Sequence, residues 1–547
     1  MTERALTCLT LWLALGASAS GQTASNGVIS GTVLNAASGA AITDAHVYAR
    51  SGLKRTEAAA DSKGHYELRD MPAGQYSLRV YSGGMGGPHG SRVVTLVAGQ
   101  ELPSVDFRLQ PNGVISGKVV DENREPVPEL LVLLIAREYR LGALRYVFAR
   151  ITKTDDRGQY TVTNVVPGRG FLLLAEKRMF KLSAISDAPA EVVLRKRVTV
   201  PTWYPNTSDM AGAEVITLRP GERRVGMDIQ MRRSPSYCMD GVLETPRGPG
   251  VLQFGLEEQE PTSGKSGDGG VYFAVPGGET GEDGRIRICD LHAGSYQLSV
   301  LQTPKTQSSA PLSYAATTVT IGDKDVNKVH LMSAPRLAVP GEVAWGGKPP
   351  EQLVGGKLSI VLDLTTRAPW QGEIEGLHAE AAIPGQFSFP GLALDEYSVD
   401  LQGVPNDLYV KDILYAGSSI LHEPLRLGNS VGAPELRVML GTDGGVVSAR
   451  VTDRDGHPVP DCGMFISPED ASSDGALAAE LISGKTDQNG AYSSAHLAPG
   501  KYVVLASMEA FDAAPESVEW LKAARNQGTE VIVGANATAT VSLEPIP

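Results

Sequence analysis

Residues 61–80 read DSKGHYELRDMPAGQYSLRV. Asp61-x-x-Gly64 is turn chemistry: an Asp carboxylate accepts from backbone amides just ahead of it, and Gly takes the positive φ that other side chains resist. Tyr66 and Leu68 then alternate with polar residues, the period of a strand with one buried face. Pro72-x-Gly74 makes a second turn, after which Tyr76, Leu78 and Val80 begin another alternating strand. The piece is a β-hairpin-like corner that carries its own inward residues.

Similar corners return at 155–176 (DDRGQYTVTNVVPGRGFLLLAE), 281–302 (GEDGRIRICDLHAGSYQLSVLQ), 382–402 (AIPGQFSFPGLALDEYSVDLQ) and 487–507 (DQNGAYSSAHLAPGKYVVLAS). Their spacing, roughly one hundred residues, is the size of one β-sandwich. Upstream of most corners stands a strand, polar turn and strand, as in GVISGTVLNAASGAAITDAHVYA from Gly27, GVISGKVVDENREPVPELLVLLI from Gly113 and GGVVSARVTDRDGHPVPDCGMFI from Gly444. Closing strands such as VVTLVAGQELPSVDFRL and VITLRPGERRVGMDIQM follow. About seven short strands per repeat predicts an all-β chain of about five tandem Ig-like sandwiches. The expected units are 26–110, 111–232 with an insertion, 233–334, 335–443 and 444–547. The fourth is divergent, with Asp395-Glu396 in place of the Pro-Gly turn. Short linkers containing Pro, such as Gln110-Pro111-Asn112, predict a semi-rigid, elongated chain. In the last unit PESVEWLKAARNQG has Pro515 at a first helical position and Gly528 at an end, and predicts one short helix.

The opening strand (Ile29, Gly31, Val33), the corner (Asp61, Gly64, Tyr66) and the following turn (Pro72, Gly74, Tyr76) together resemble the carboxypeptidase regulatory-like domain. The resemblance implies a transthyretin-like β-sandwich, grouped with carbohydrate-binding-like folds and strung in several copies along secreted bacterial proteins. It is good for the first, second and fifth units, fair for the third and poor for the fourth. Its motif residues form turns and cores, so it carries a fold and does not imply the peptidase to which such domains are sometimes attached.

A chain of 547 residues exceeds one hydrophobic core, and 61 Gly with 35 Pro suit short strands and many turns. Residues 1–19, with Arg4, an apolar run over 5–17 and Ala17-Ser18-Ala19, have the layout of a secretory signal peptide. The rival reading is a membrane anchor, although a spanning helix needs ~20 apolar residues. No other stretch spans a bilayer, so the expected location is secreted, periplasmic or cell-surface. Cys8 leaves with the signal. An exported location permits a Cys238–Cys289 disulfide with Cys462 as a buried thiol; three reduced core cysteines are the alternative. The net charge of −13 gives no general attraction for nucleic acid. Between Pro111 and Arg232, however, 19 Lys plus Arg stand against 14 Asp plus Glu, densest at Arg195-Lys196-Arg197 and Arg223-Arg224. This is either a solvated face or a contact for an acidic neighbouring domain or an anionic polymer.

Motifs that carry chemistry are missing. The nine His form no HExxH or HxH, no CxxC occurs, and there is no Gly-x-Ser-x-Gly elbow. Gly264-Lys265-Ser266 and Gly484-Lys485-Thr486 imitate the end of a phosphate loop, but Gln259 and Ala479 stand where its earlier Gly belongs. Asp453-Arg454-Asp455-Gly456 begins like a calcium loop and then lacks the further carboxylates, so it reads as a hairpin turn. Lys118 lacks the Asn that an isopeptide bond would need. No catalytic, metal-binding or cofactor residue is assigned, and no enzyme is expected. Two functional readings follow. One is a non-catalytic scaffold or interaction protein with a protein or polysaccharide partner. The other is an array of carbohydrate-binding modules in which Trp203 and Tyr204, beside Arg195, Lys196 and Arg197, contact the sugar, with Trp370 as a further aromatic. An enzyme with a site between units is a third class, and it would need a deep polar cleft at a junction.

Overall fold

The computed structural model of the protein describes residues 26–51, 54–86, 91–140, 142–176, 197–259, 272–274, 278–302, 313–349, 357–364, 377–428, 434–471, 473–508 and 514–546. The expected signal peptide, Arg195, Lys196 and Trp370 lie outside them.

The corner forms for the reasons its letters suggest. Asp61 Oδ1 accepts from the amides of Lys63 (2.8 Å) and His65 (2.9 Å). Gly64 stands at φ 75°, and a Cβ there would lie 2.7 Å from Val33 O. Asp155 and Asp487 accept from the amides two and four residues on in the same way, and so do Asp121 and Asp453 in the opening turns of their units. The strand after the corner, His65–Met71, then pairs antiparallel with the opening strand Gly27–Asn35, setting Tyr66 opposite Gly31. The hydroxyl of Tyr66 reaches across that glycine to Val105 O at 2.7 Å, and Tyr160 does the same to Met227 O across Gly117.

Every unit repeats one arrangement of two packed sheets. The opening strand lies beside a closing strand and parallel to it: Gly27–Asn35 with Phe107–Pro111, Gly113–Val120 with Ile229–Gln230, Tyr237–Thr245 with Val326–Met332, Leu337–Trp345 with Leu436–Gly441, and Val446–Val451 with Thr538–Leu543. A unit therefore begins and ends on neighbouring strands. In the first unit the second sheet runs Lys54–Ala59, His46–Ser51, Gly74–Tyr81, Ser91–Leu96. The inward residues form separate cores, such as Ile29, Tyr66, Leu78 and Phe107 in the first unit and Val447, Met464, Val504 and Val541 in the last. The chain is thus all-β in tandem sandwiches. Among the described residues no helix is long and apolar enough to cross a membrane.

Two sheets bury residues on both faces. In Gly170–Glu176 every residue is buried. Phe171, Leu173 and Ala175 enter the second unit's core, while Leu172 and Leu174 point outward beneath Trp203 and Met210. In Gly500–Ser507, Val503 and Leu505 point outward with Phe465. They are covered by α1 (Asp474–Glu480) through Leu477 and by α2 (Pro515–Ala524) through Val518, Leu521 and Ala524. Pro515 opens α2, as its fixed φ favours. α1, begun by the Ser473 hydroxyl accepting from Ala476 N, has no counterpart in the sequence reading.

Units distant in the chain also meet, which the short linkers do not predict. The second unit's long hairpin, Leu131–Arg140 with Ala143–Lys153, reaches the helices of the fifth, where Tyr139 joins the apolar cluster. The fifth unit also touches the first, through Gln488 Nε2 to Thr95 O (3.1 Å), and the fourth, through His496 N to Asn406 O (2.8 Å). Short linkers restrict neighbours only; they do not stop a chain from curving until distant units meet.

Candidate functional site

Trp203, the aromatic expected to stack on a sugar, stands in the second unit's excursion beside Tyr204 and Pro205. It is fully buried, its strand Thr202–Trp203 paired with Gly170–Glu176. The outward Leu172 and Leu174 require an apolar cover, and the indole supplies it, so no sugar can stack there. Tyr204 is half-buried against the second unit's core. Arg197 is exposed in the strand Arg197–Val200, where its Nη2 donates to Arg233 O (2.6 Å) and meets Glu122 Oε1 (3.2 Å). The candidate cluster is therefore divided between a core residue, a half-buried ring and a cation already engaged.

Cys238 and Cys289 are bonded to each other, joining the adjacent strands Tyr237–Thr245 and Arg285–Leu291. Cys462 is free and buried, and burial pushes its thiol up to about 11, with the neighbouring Asp461 adding to the shift. Asp453, Asp455 and His457 lie within reach of one another but are exposed. The amides of His457 and Asp455 hold the Asp453 carboxyl below its usual range, which is the signature of the turn itself.

Charged groups from distant parts of the chain meet at the junction of the second and fifth units. Arg137, near the end of its strand, donates through Nη2 to Glu516 Oε1 in the first turn of α2. A carboxylate there also suits the positive end of the helix. Arg169 donates to Glu138 at 2.7 Å beside this pair. Gly170 leaves room for Glu516, since a Cβ would run into the carboxylate. Beyond the charges, Gly142 at the hairpin tip lies against Gly475 of α1 so closely that a Cβ on Gly475 would collide with Gly142 O. Lys522 Nζ to Asp474 Oδ1 (2.7 Å) ties the two helices together and raises the lysine's pKa. These groups are paired cation to anion, and no nucleophile stands among them. What the arrangement can do is fasten two units.

Other clusters are also closed or matched. His292 Nε2 and Glu258 Oε2 lie 3.1 Å apart inside the third unit, with side chains 6 % and 8 % exposed, so no substrate reaches them. A shallow recess of ≈ 430 Å³ is lined by Arg219, Pro220, Gly221, Glu222 and Arg224, and Glu222 holds Arg224 at 2.8 Å. The junction residues were not found from the sequence. The available signal was Arg137-Glu138 set inside the apolar strand LVLLIAREYR, a charged pair where a free edge would not need one.

A carboxypeptidase regulatory-like domain is matched by its family model over residues 28–110. No curated protein matches the chain. Among solved structures, it is similar to the TIE protein of Bacillus anthracis, with 10% identity, 76% of this chain and 68% of that one covered, and a TM-score of 0.16. It is also similar to a streptococcal ancillary pilin (15% identity, 57% and 100% covered, TM-score 0.18) and to the RrgB pilus protein of Streptococcus pneumoniae (7% identity, 80% and 98% covered, TM-score 0.14).

Proposed function

We propose that the chain is a non-catalytic, exported scaffold or interaction protein, whose sandwiches hold loops and sheet faces in fixed positions for a partner. The observation that carries this reading is the use made of the recurring polar residues. The corner Asp accepts from two amides of its own turn. The tyrosine of the following strand donates four residues back: Tyr76 to Pro72 O (2.8 Å), Tyr296 to His292 O (2.9 Å), Tyr397 to Ala393 O (3.0 Å) and Tyr502 to Ala498 O (2.8 Å). What recurs builds shape. Export is supported by the signal-like residues 1–19 and by the Cys238–Cys289 pair, since disulfides persist in oxidising compartments.

Two measurements test the reading. Screening the purified chain against ester, glycoside, peptide and phosphoester substrates should show no turnover. A rate abolished by one acid or histidine substitution overturns the non-catalytic reading. Fractionation of the producing cells, with thiol labelling, should find the protein outside the cytoplasm with Cys238 and Cys289 blocked. A cytoplasmic pool with both thiols free overturns export.

A further inference from the structure

The fifth unit meets the first unit's second sheet at its edge strand Ser91–Leu96, through Gln488 and Asp461, while the outward side chains of the other three strands include exposed His46, Arg50, Arg55, Arg79 and Tyr81. Along His46–Ser51 the residues Val47 and Ala49 point inward, so His46, Tyr48 and Arg50 point out. The register sets Tyr48 between Glu57 and Arg79, and His46 beside Tyr81. The rings of Tyr48 and Tyr81 meet edge to face, with centroids 5.5 Å apart, and His46 lies 6.4 Å from Tyr48 within 19° of parallel. Arg55 places its guanidinium 3.9 Å over the Tyr48 ring. Tyr81 is 57% exposed, and Arg55 and Arg79 are exposed beside it. The carboxylate among the described residues of these strands, Glu57, is engaged by His46 at 2.9 Å. A cationic, aromatic face thus stands on a chain whose net charge is −13.

We propose that this face binds an acidic polysaccharide built from uronic-acid sugars. Each part of such a ligand has a counterpart. The carboxylate matches the planar fork of Arg55, whose stacking on Tyr48 fixes its orientation and lowers the ordering cost on binding. The C–H face of a pyranose matches the open ring of Tyr81, and Arg79 and the exposed Ser77 beside it offer donors to hydroxyls. An extended sheet face accepts an extended chain. A protein partner is disfavoured because protein hot spots are buried in clusters. Tyr81 and Val97 are the large apolar side chains that the first unit exposes among its described residues. The scaffold reading does not depend on this site, and its own tests are separate.

The test is affinity electrophoresis or calorimetry of the whole chain with polygalacturonate and alginate at moderate salt, with dextran and poly-glutamate as the neutral and acidic comparisons. Both uronates should bind, dextran should not, and poly-glutamate should bind more weakly. Tyr81→Ala and the Arg55→Ala/Arg79→Ala pair should each weaken uronate binding about five- to tenfold. These side chains are solvent-exposed, so the circular dichroism and melting profile should stay as in the parent. Arg223→Ala/Arg233→Ala, on the second unit, should change little. The proposal is overturned if neither uronate binds or if poly-glutamate binds equally well. It is also overturned if binding survives the first-unit variants and is lost with the second-unit pair.

Discussion

At Gly64 two constraints coincide, a φ of 75° and a carbonyl, Val33 O, 2.7 Å from where a Cβ would sit. Gly64→Ala meets both, and the expected loss is about 1–3 kcal/mol, confined to the first unit. Amide exchange at Val33 and Tyr66 checks it, because it reads one unit among five; unchanged protection there would show that the turn yields without cost. Cys462 belongs to the same scale. Burial raises its thiol from 9.0 to about 11, so the folded state prefers the neutral form. That preference is fully present below pH 9 and is lost as pH rises through about 11. At pH 8 a thiol reagent should therefore leave Cys462 unmodified until denaturant is added, and rapid native labelling would contradict its burial. The corner letters were legible because Asp, Gly and the inward Tyr each follow from local chemistry. The hydroxyl bond of Tyr76 to Pro72 O was not, because alternation reports only which face a side chain takes. The donor meets its acceptor only once the chain has bent between them.

Strands reveal more than their existence. Half-buried strands alternate, as Gly27–Asn35 does, whereas FLLLA and YVVLA run without alternation. A continuous run means that the second face is also covered. That signal stands in the sequence, but it was not read there, and the burial of the second face emerges from the structure. The covers could not be assigned, since Trp203 comes from an excursion and α1 from a stretch with no strong helical signal. The first unit's outer face was overlooked for the opposite reason. His46, Tyr48 and Tyr81 sit singly at polar positions of two strands and become one cluster only through the register. Pairing also decides what the disulfide does. Cys238 and Cys289 close a separation of 51 residues between adjacent strands of the third unit. Reduction should destabilise that unit by about 2–4 kcal/mol. In calorimetry one transition should move to lower temperature while the others hold; a uniform shift, or none, would contradict a cross-link acting within a single core.

Across the whole molecule, the return of the fifth unit onto the second decides whether partners meet a row of sandwiches or a curved body. The contact is small and mixed: an apolar patch from Tyr139 to Trp520, the Arg137–Glu516 pair, and the close backbones of Gly142 and Gly475. The ion pair is only partly buried, with side chains 21% and 33% exposed, so its removal should cost the junction about 1–3 kcal/mol after solvent screening. Gly475→Val should cost more, since its branches would occupy the space of the hairpin tip. Each change lies outside the separate unit cores. The double variant Arg137→Ala/Gly475→Val is therefore expected to keep the unfolding transitions of its units while the radius of gyration in solution scattering rises. A protease should then cut the hairpin tip faster. If scattering of the double variant superimposes on that of the parent, the second and fifth units are not held together here. The contacts of the fifth unit with the first and fourth, among them Arg92 to Asp461 and His422 to Glu480, would then carry the curvature and be the next to substitute.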